Sequence, residues 1–299
     1  MIGTLGDLVE DIAVHLSGPV NVASDTAATI ERRRGGSAAN TAVAVVRTGA
    51  PARFIGQVGD DPVGRALLAV MASEGVDLAV RRRGRTGTIV VLVDHLGERT
   101  MLTDRGACAD LTDPDPAWLD GLAVLHVPAY SLVGGLLAAT SATLIRWARD
   151  RGIVVSIDAS SAAIIEAFGP AAMRELLTAI GPDVLLCNEL EAAALGGAAS
   201  LVPLARHVTV VKNGASPARV SAGISAHDSG TDSFTVEVPV PVLAGVLDTT
   251  GAGDAFAAGF LVAYSSGATP ADSAVAGHRA ARAAIVAVSA RAQGSANAS

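Results

Sequence analysis

Lysine is almost missing from this chain. Of its 22 basic residues only Lys212 is a lysine, and arginine supplies the rest. Such a bias, alongside the abundance of alanine, reflects a GC-rich genome rather than a chemistry. Cysteine is scarce too. Cys108 and Cys187 are too few to staple a disulfide scaffold, and they suit a reducing compartment. Aromatic residues make up 3% and charged residues 17%, with a net charge of −7. That balance lacks the basic surface of a general nucleic-acid binder. It also lacks the high charge and low hydrophobicity of a disordered chain. Glycine shows no period of three, which excludes a collagen-like helix. The six histidines show no metal-ligand spacing, so no zinc site is expected.

Long uninterrupted apolar runs are missing as well, although half of the chain is hydrophobic and mean hydropathy is +0.44. Residues 121–145 carry no formal charge, but His126, Pro128, Ser131, Gly134, Gly135 and Thr140 interrupt them. The stretch reads as a buried strand, a loop and a buried helix rather than a membrane span. The first residues carry Asp7, Glu10 and Asp11 where a secretory signal would be basic and then apolar. A cytoplasmic protein is expected, bound to neither membrane nor nucleic acid.

What is present is an alternation. Apolar runs of strand length at Arg53–Val58, Val124–Val127, Ile153–Asp158, Val184–Cys187 and Val208–Val211 are separated by helical patterns. The helices are expected at Ala38–Thr48, Asp61–Glu74, Gly135–Arg151, Pro170–Ile180 and Glu189–Leu195. Asp61 can cap its helix with Pro62 at the first position, and Gly75 and Gly152 can end theirs. The pattern predicts one α/β domain over 1–299, a Rossmann-like three-layer α/β/α sandwich with a mostly parallel sheet. Two stretches break the rhythm, at about 8–34 and 79–105. The second contains a hairpin, Thr88–Asp94 and Arg99–Thr103, turning at 95–98. These insertions predict a small second sheet that acts as a lid over a site. The tail from Gln293 to Ser299 is expected to fray.

The chemistry is concentrated in Asp248-Thr249-Thr250-Gly251-Ala252-Gly253-Asp254-Ala255-Phe256-Ala257-Ala258-Gly259-Phe260. A glycine turn runs straight into an apolar helix, so free N–H groups and the helix dipole form an anion hole. Asp254 puts a carboxylate in the same turn, where it can take a proton from a hydroxyl that attacks a phosphoryl group. Two rival phosphate loops fail. Phe256 occupies the third glycine of a dinucleotide fingerprint, and no lysine follows the glycines as a P-loop requires.

These residues resemble the C-terminal signature of the ribokinase-like (PfkB) carbohydrate kinases. Gly35-Gly36-Ser37-Ala38-Ala39-Asn40, followed by Gly56-Gln57-Val58-Gly59-Asp60-Asp61, resembles the N-terminal signature. Asn188-Glu189-Leu190-Glu191 resembles the family's N-x-x-E element. The resemblance implies a ribokinase-like fold and an ATP-dependent sugar kinase acting on a primary hydroxyl. It implies Asp254 as base and Gly251, Ala252 and Gly253 as its anion hole. It implies Asp11, Gly35, Gly36 and Asn40 at the sugar. Asn188 and Glu191 would organise Mg2+ and phosphate, largely through water. Lys212, Asn213 and Gly214 fall where nucleotide contacts are made, with adenine in a slot formed with Ala281–Val288. ATP is the implied co-substrate.

The sequence also departs from the ribokinase pattern. Ser37 stands where ribokinases usually carry lysine, and Pro128-Ala129-Tyr130-Ser131 lacks their glutamate. Ribose is therefore a weaker candidate. Val288–Gln293 only loosely resembles the loop used for a monovalent cation, so a K+ requirement is left open. Arginines at 32–34, 81–83 and 85 flank the lid. Arg105 is the best single candidate for an anionic substrate group. An acid sugar such as 2-keto-3-deoxygluconate, a sugar phosphate or a nucleoside stays in play, as does a silent sugar- or nucleotide-binding regulator. Cys108 would line the same pocket or sit inert in the core. The lid edge would allow a homodimer, since sheet edges pair.

Overall fold

The computed structural model describes residues 1–94, 96, 98–222, 234–243 and 249–296, with side chains to residue 289. His95, Gly97, His227 and Asp248 lie outside these residues, as do residues 297–299. In chain order the first elements are strands β1 (Ile2–Leu5), β2 (Val9–Leu16) and β3 (Ala28–Gly35), then helix α1 (Ser37–Arg47) and strand β4 (Ala52–Val58). Next come α2 (Pro62–Ser73), β5 (Asp77–Arg82), β6 (Thr86–Val93), β7 (Arg99–Gly106), β8 (Val124–Pro128) and α3 (Gly135–Asp150). They are followed by β9 (Val154–Asp158), α4 (Ala162–Phe168), α5 (Pro170–Ile180), β10 (Val184–Asn188), α6 (Glu189–Ala194) and α7 (Ala198–Leu201). The last are β11 (Val208–Asn213), β12 (Ser216–Ala222), β13 (Phe234–Val238), α8 (Ala252–Ser265) and α9 (Pro270–Ala296).

The main sheet has nine strands among the described residues, in the order β13-β12-β11-β10-β9-β8-β1-β4-β5. It is parallel from β11 to β5, and β12 and β13 run antiparallel at one edge. The inner strands are buried almost throughout because helices cover both faces. One face packs Leu137, Leu144, Met173, Leu177 and Leu201. The other packs Val43, Leu67, Phe256, Phe260 and Ala274. The architecture is therefore the three-layer sandwich of the ribokinase-like fold. Residues 121–145 form β8, a loop and the start of α3. No helix among the described residues is long and apolar enough to cross a membrane.

Local chemistry sets the boundaries. Asp61 caps α2 by accepting from Gly64 N–H at 2.7 Å, with Pro62 at the first position. The same carboxylate accepts from Thr86 N–H and Oγ1, tying α2 to the lid. Gly75 and Gly152 follow their helices at positive φ.

A separate sheet, β3-β2-β6-β7, forms the lid. β2 and β3 pair antiparallel from Val9↔Gly35 to Leu16↔Ala28, and β2 runs parallel to β6. The second insertion starts later than the sequence suggests. Residues 79–82 belong to β5, paired with β4 at the edge of the main sheet, and the lid hairpin begins at Thr86. The short apolar run Leu78-Ala79-Val80 suits a sheet edge as well as a lid, so the sequence does not separate the two. The C-terminal segment also differs. The start of the frayed tail expected from Gln293 instead continues α9 to Ala296, as an alanine-rich stretch favours.

Candidate active site

In an open parallel sheet, ligands bind beyond the carboxyl ends of the strands where the strand order reverses. Here the chain runs from β1 towards β4 and β5 on one side, and from β8 towards β11 on the other. Beyond those ends lie Asp7 after β1, Asp158 on β9, Asn188 on β10 and Lys212 on β11. Sheet register sets Asn188 beside Lys212. The start of α8 and the Gly35–Gly36 turn complete the rim.

Gly251 precedes α8 with φ +77°, a left-handed conformation that favours glycine. The helical ladder begins with Ala255 N–H on the Gly251 carbonyl, so the N–H groups of Gly253 and Asp254 lie ahead of it. Ala252 N–H folds back on the Thr249 carbonyl at 3.0 Å. Asp254 lies half-buried in this first turn and receives two hydrogen bonds. Ser37 Oγ donates to Oδ1 at 2.6 Å, and Asn40 Nδ2 donates to Oδ2 at 3.0 Å. Burial pushes the Asp254 carboxyl up to about 6, against these two bonds. Asp158 adds to the rise and Lys212 opposes it.

Asn40 is itself oriented, since Arg34 Nη1 donates to its Oδ1 at 2.7 Å. Gly36 has φ +98°, and a Cβ there would stand 2.2 Å from the Asp7 carbonyl oxygen, so only glycine fits the turn. A Cβ on Gly35 would stand 2.0 Å from Asp11 Oδ1. The Asp11 carboxylate therefore lies directly against the turn, and its buried Oδ1 has no hydrogen-bond partner among the described residues. Burial raises the Asp11 pKa, with Arg33 and Arg34 opposing. The structure thus brings Asp11, Gly35, Gly36, Asn40 and Asp254 to one place.

Across the glycine turn, Lys212 Nζ donates to Asp158 Oδ2 at 2.6 Å, both side chains being largely buried. A Cβ on Gly253 would stand 3.6 Å from Lys212 Nζ, so the ammonium borders the glycine turn. Burial opposes its charge, but Asp158 and Glu191 outweigh that and hold its pKa above the lysine range. Asp158 Oδ1 accepts from Ser160 N–H at 2.9 Å. Asn188 and Glu191 form a capping box at the start of α6. Asn188 Oδ1 accepts from Glu191 N–H, and Glu191 Oε2 accepts from Asn188 N–H. Burial, with Asp158 adding to it, pushes the Glu191 carboxyl up to about 7. Asn213 ends β11, and Gly214 begins the turn to β12.

Arg105 departs from the expectation, whereas Cys108 sits inert in the core, one of its two expected places. Arg105 forms a bidentate pair with Asp7, both bonds at 2.8 Å, so its fork is already filled by a carboxylate of the same chain. Cys108 is buried with its thiol on the Leu8 carbonyl, and burial pushes its pKa up to about 12, which leaves it unreactive. Sequence reasoning missed Asp158, Ser37 and Arg34 as members of the site. It also missed Arg99 on β7, which donates to Thr250 Oγ1 at 2.7 Å and links the lid to the glycine turn. The run Gly97-Glu98-Arg99 at the end of the hairpin turn carries no local signal of that reach.

Comparison with known proteins agrees with this geometry. A profile of the pfkB family carbohydrate kinases matches residues 5–296. A fructokinase from Klebsiella pneumoniae is 33% identical over 252 residues, covering 79% of this chain and 78% of that protein. The crystal structure of adenosine kinase from Sinorhizobium meliloti superposes with a TM-score of 0.80 at 24% identity, covering 95% and 93% of the two chains. An uncharacterized sugar kinase from Pyrococcus horikoshii, solved in complex with ATP, gives a TM-score of 0.72 at 24% identity, covering 88% and 84%. The chain belongs to the PfkB family of carbohydrate kinases and is an ATP-binding phosphotransferase that acts on a hydroxyl group.

Proposed function

We propose that the protein transfers the γ-phosphate of ATP to a primary hydroxyl of an uncharged sugar, with Asp254 as the general base. The observation that carries this reading is the Asp254 carboxylate in the first turn of α8. It is held between Ser37 and Asn40, and its pKa is raised to about 6. A base of that pKa is ionised at neutral pH and still basic enough to take a hydroxyl proton as the O–P bond forms. The N–H groups of Gly253 and Asp254 face the charge that grows on the transferred group, whereas the Ala252 N–H is taken by the Thr249 carbonyl. Asp11 and Asn40 offer acceptors and a donor to the sugar hydroxyls.

Lys212 lies beside the same turn as a point charge for the phosphates, and Asn213 and Gly214 are assigned to the nucleotide. Glu191 and Asn188 present hard oxygen donors. They already bond to each other, which suits Mg2+ held through its own waters rather than by direct ligation. When bound, Mg2+ would offset the charge between the β- and γ-phosphates. The lid excludes water from the transfer. An uncharged sugar is favoured over an acid sugar or sugar phosphate because the Arg105 fork is filled by Asp7.

The test is release of ADP from MgATP across a panel of ketoses, aldoses, acid sugars, sugar phosphates and nucleosides. Stimulation by a neutral sugar is expected. Stimulation by acid sugars alone would move the substrate class. No stimulation by any member would favour a binding protein on the same fold.

A further inference from the structure

The two oxygens of Asp254 are held in different ways. Oδ2 accepts from Asn40, whose own Oδ1 is fixed by Arg34. A guanidinium can only donate, so it locks the amide with its oxygen towards Arg34 and its NH2 towards Asp254. Turning that amide over would set two donors against each other. Oδ1 accepts from the Ser37 hydroxyl at 2.6 Å. A hydroxyl rotates about its C–O bond and can accept as well as donate. Only the Ser37 bond can therefore be exchanged without breaking the Arg34–Asn40 pair.

We propose that Ser37 is a positioning residue that presents Asp254 Oδ1 as the proton-accepting oxygen, while Arg34 and Asn40 fix Oδ2. The proposal rests on Asp254 as the base. As the acceptor hydroxyl arrives, the Ser37 hydroxyl turns away and the substrate O–H takes its place on Oδ1. The substrate O–H bond breaks as its oxygen bonds the γ-phosphorus. The proton stays on Oδ1, and the bond between the γ-phosphorus and the β,γ-bridging oxygen breaks with its electron pair leaving on ADP.

The other charged groups around Asp254 are Arg34 at the end of β3, Asp158 on β9 and Lys212 on β11. Arg34 is also under the influence of Asp11, Arg47 and Glu74. The start of α1 brings only the uncharged Ser37 and Asn40. His278 on α9 meets the Phe256 ring, 5.1 Å between centroids, rather than the carboxylate. Against burial and Asp158, the Ser37 bond is the first of the influences that favour the ionised form.

The experiment is a pH titration of [13C]aspartate-labelled protein, with the Asp254 carboxyl signal assigned by its loss in Asp254→Asn. In Ser37→Ala the Asp254 midpoint is expected to rise by roughly one pH unit, since a hydrogen bond to the charged form is removed. Ser37→Thr and Ser37→Val have the same shape and differ in the hydroxyl. Threonine is expected to keep the wild-type midpoint and valine to match alanine. Equal midpoints in the Thr and Val variants, or an unmoved midpoint in Ser37→Ala, would overturn the role of Ser37 and leave the base untouched. Retained turnover in Asp254→Asn would overturn the base itself.

Discussion

At the scale of single residues, Lys212 changes most between sequence and structure. Composition makes it a curiosity of codon use. In the fold its ammonium is bonded to Asp158 and borders Gly253, so it joins the sheet to the glycine turn. Removing one partner of a buried pair leaves the other charged and unpaired, which costs about 3–5 kcal/mol. Lys212→Met should therefore lower the urea midpoint markedly and raise KM for ATP. An unchanged midpoint would show that Asp158 does not depend on it. The Gly251–Asp254 turn was legible because its glycines and carboxylate are adjacent in sequence. Asp158 was not, because its partner is 54 positions away and Asp158-Ala159-Ser160-Ser161 carries no motif. Ser37 was visible only as a departure from lysine, and its bond to Asp254 spans 217 positions. Arg105 misled for the same reason, since its partner Asp7 is 98 positions away.

At the scale of elements, helix α8 depends on close packing with α9. A Cβ on Gly259 would stand 2.6 Å from the Ala276 carbonyl oxygen and 2.8 Å from the Ala280 side chain. A backbone oxygen cannot move aside, so the helices must separate. Gly259→Ala should destabilise the protein by about 1–3 kcal/mol, the usual cost of overpacking. Because α8 also carries Asp254, turnover should fall along with melting temperature. A normal melting temperature would show that the two helices tolerate the shift. Helix starts and strand cores were readable because capping residues and apolar runs act locally, as Asp61 and Gly75 do for α2. The lid boundary and the end of α9 were not. Whether residues 79–82 join β4 or the lid hairpin is decided by distant pairing, and alanine-rich helix and frayed tail look alike in sequence.

At the scale of the whole molecule, the sheet order collects residues from β2, β3, α1, β9, β10, β11 and α8 at one rim. Seven separate segments thus converge on one place. The alternation of strands and helices made this architecture legible, while the contacts across the rim became visible only once the strands were ordered. Turnover depends on the charge state of Asp254, the proposed base, because a protonated carboxyl cannot accept a hydroxyl proton. With a folded pKa of about 6, kcat should fall as pH drops through that value and level off above it. The most direct measurement compares wild type with Asp254→Asn across this pH range, on the sugar that stimulates ADP release. ATP binding is followed in parallel by calorimetry. The account predicts loss of turnover by about 100-fold or more, as for removal of a general base, no remaining inflection near pH 6, and ATP affinity within a few-fold of wild type. Turnover that survives in Asp254→Asn with the same pH dependence would contradict it.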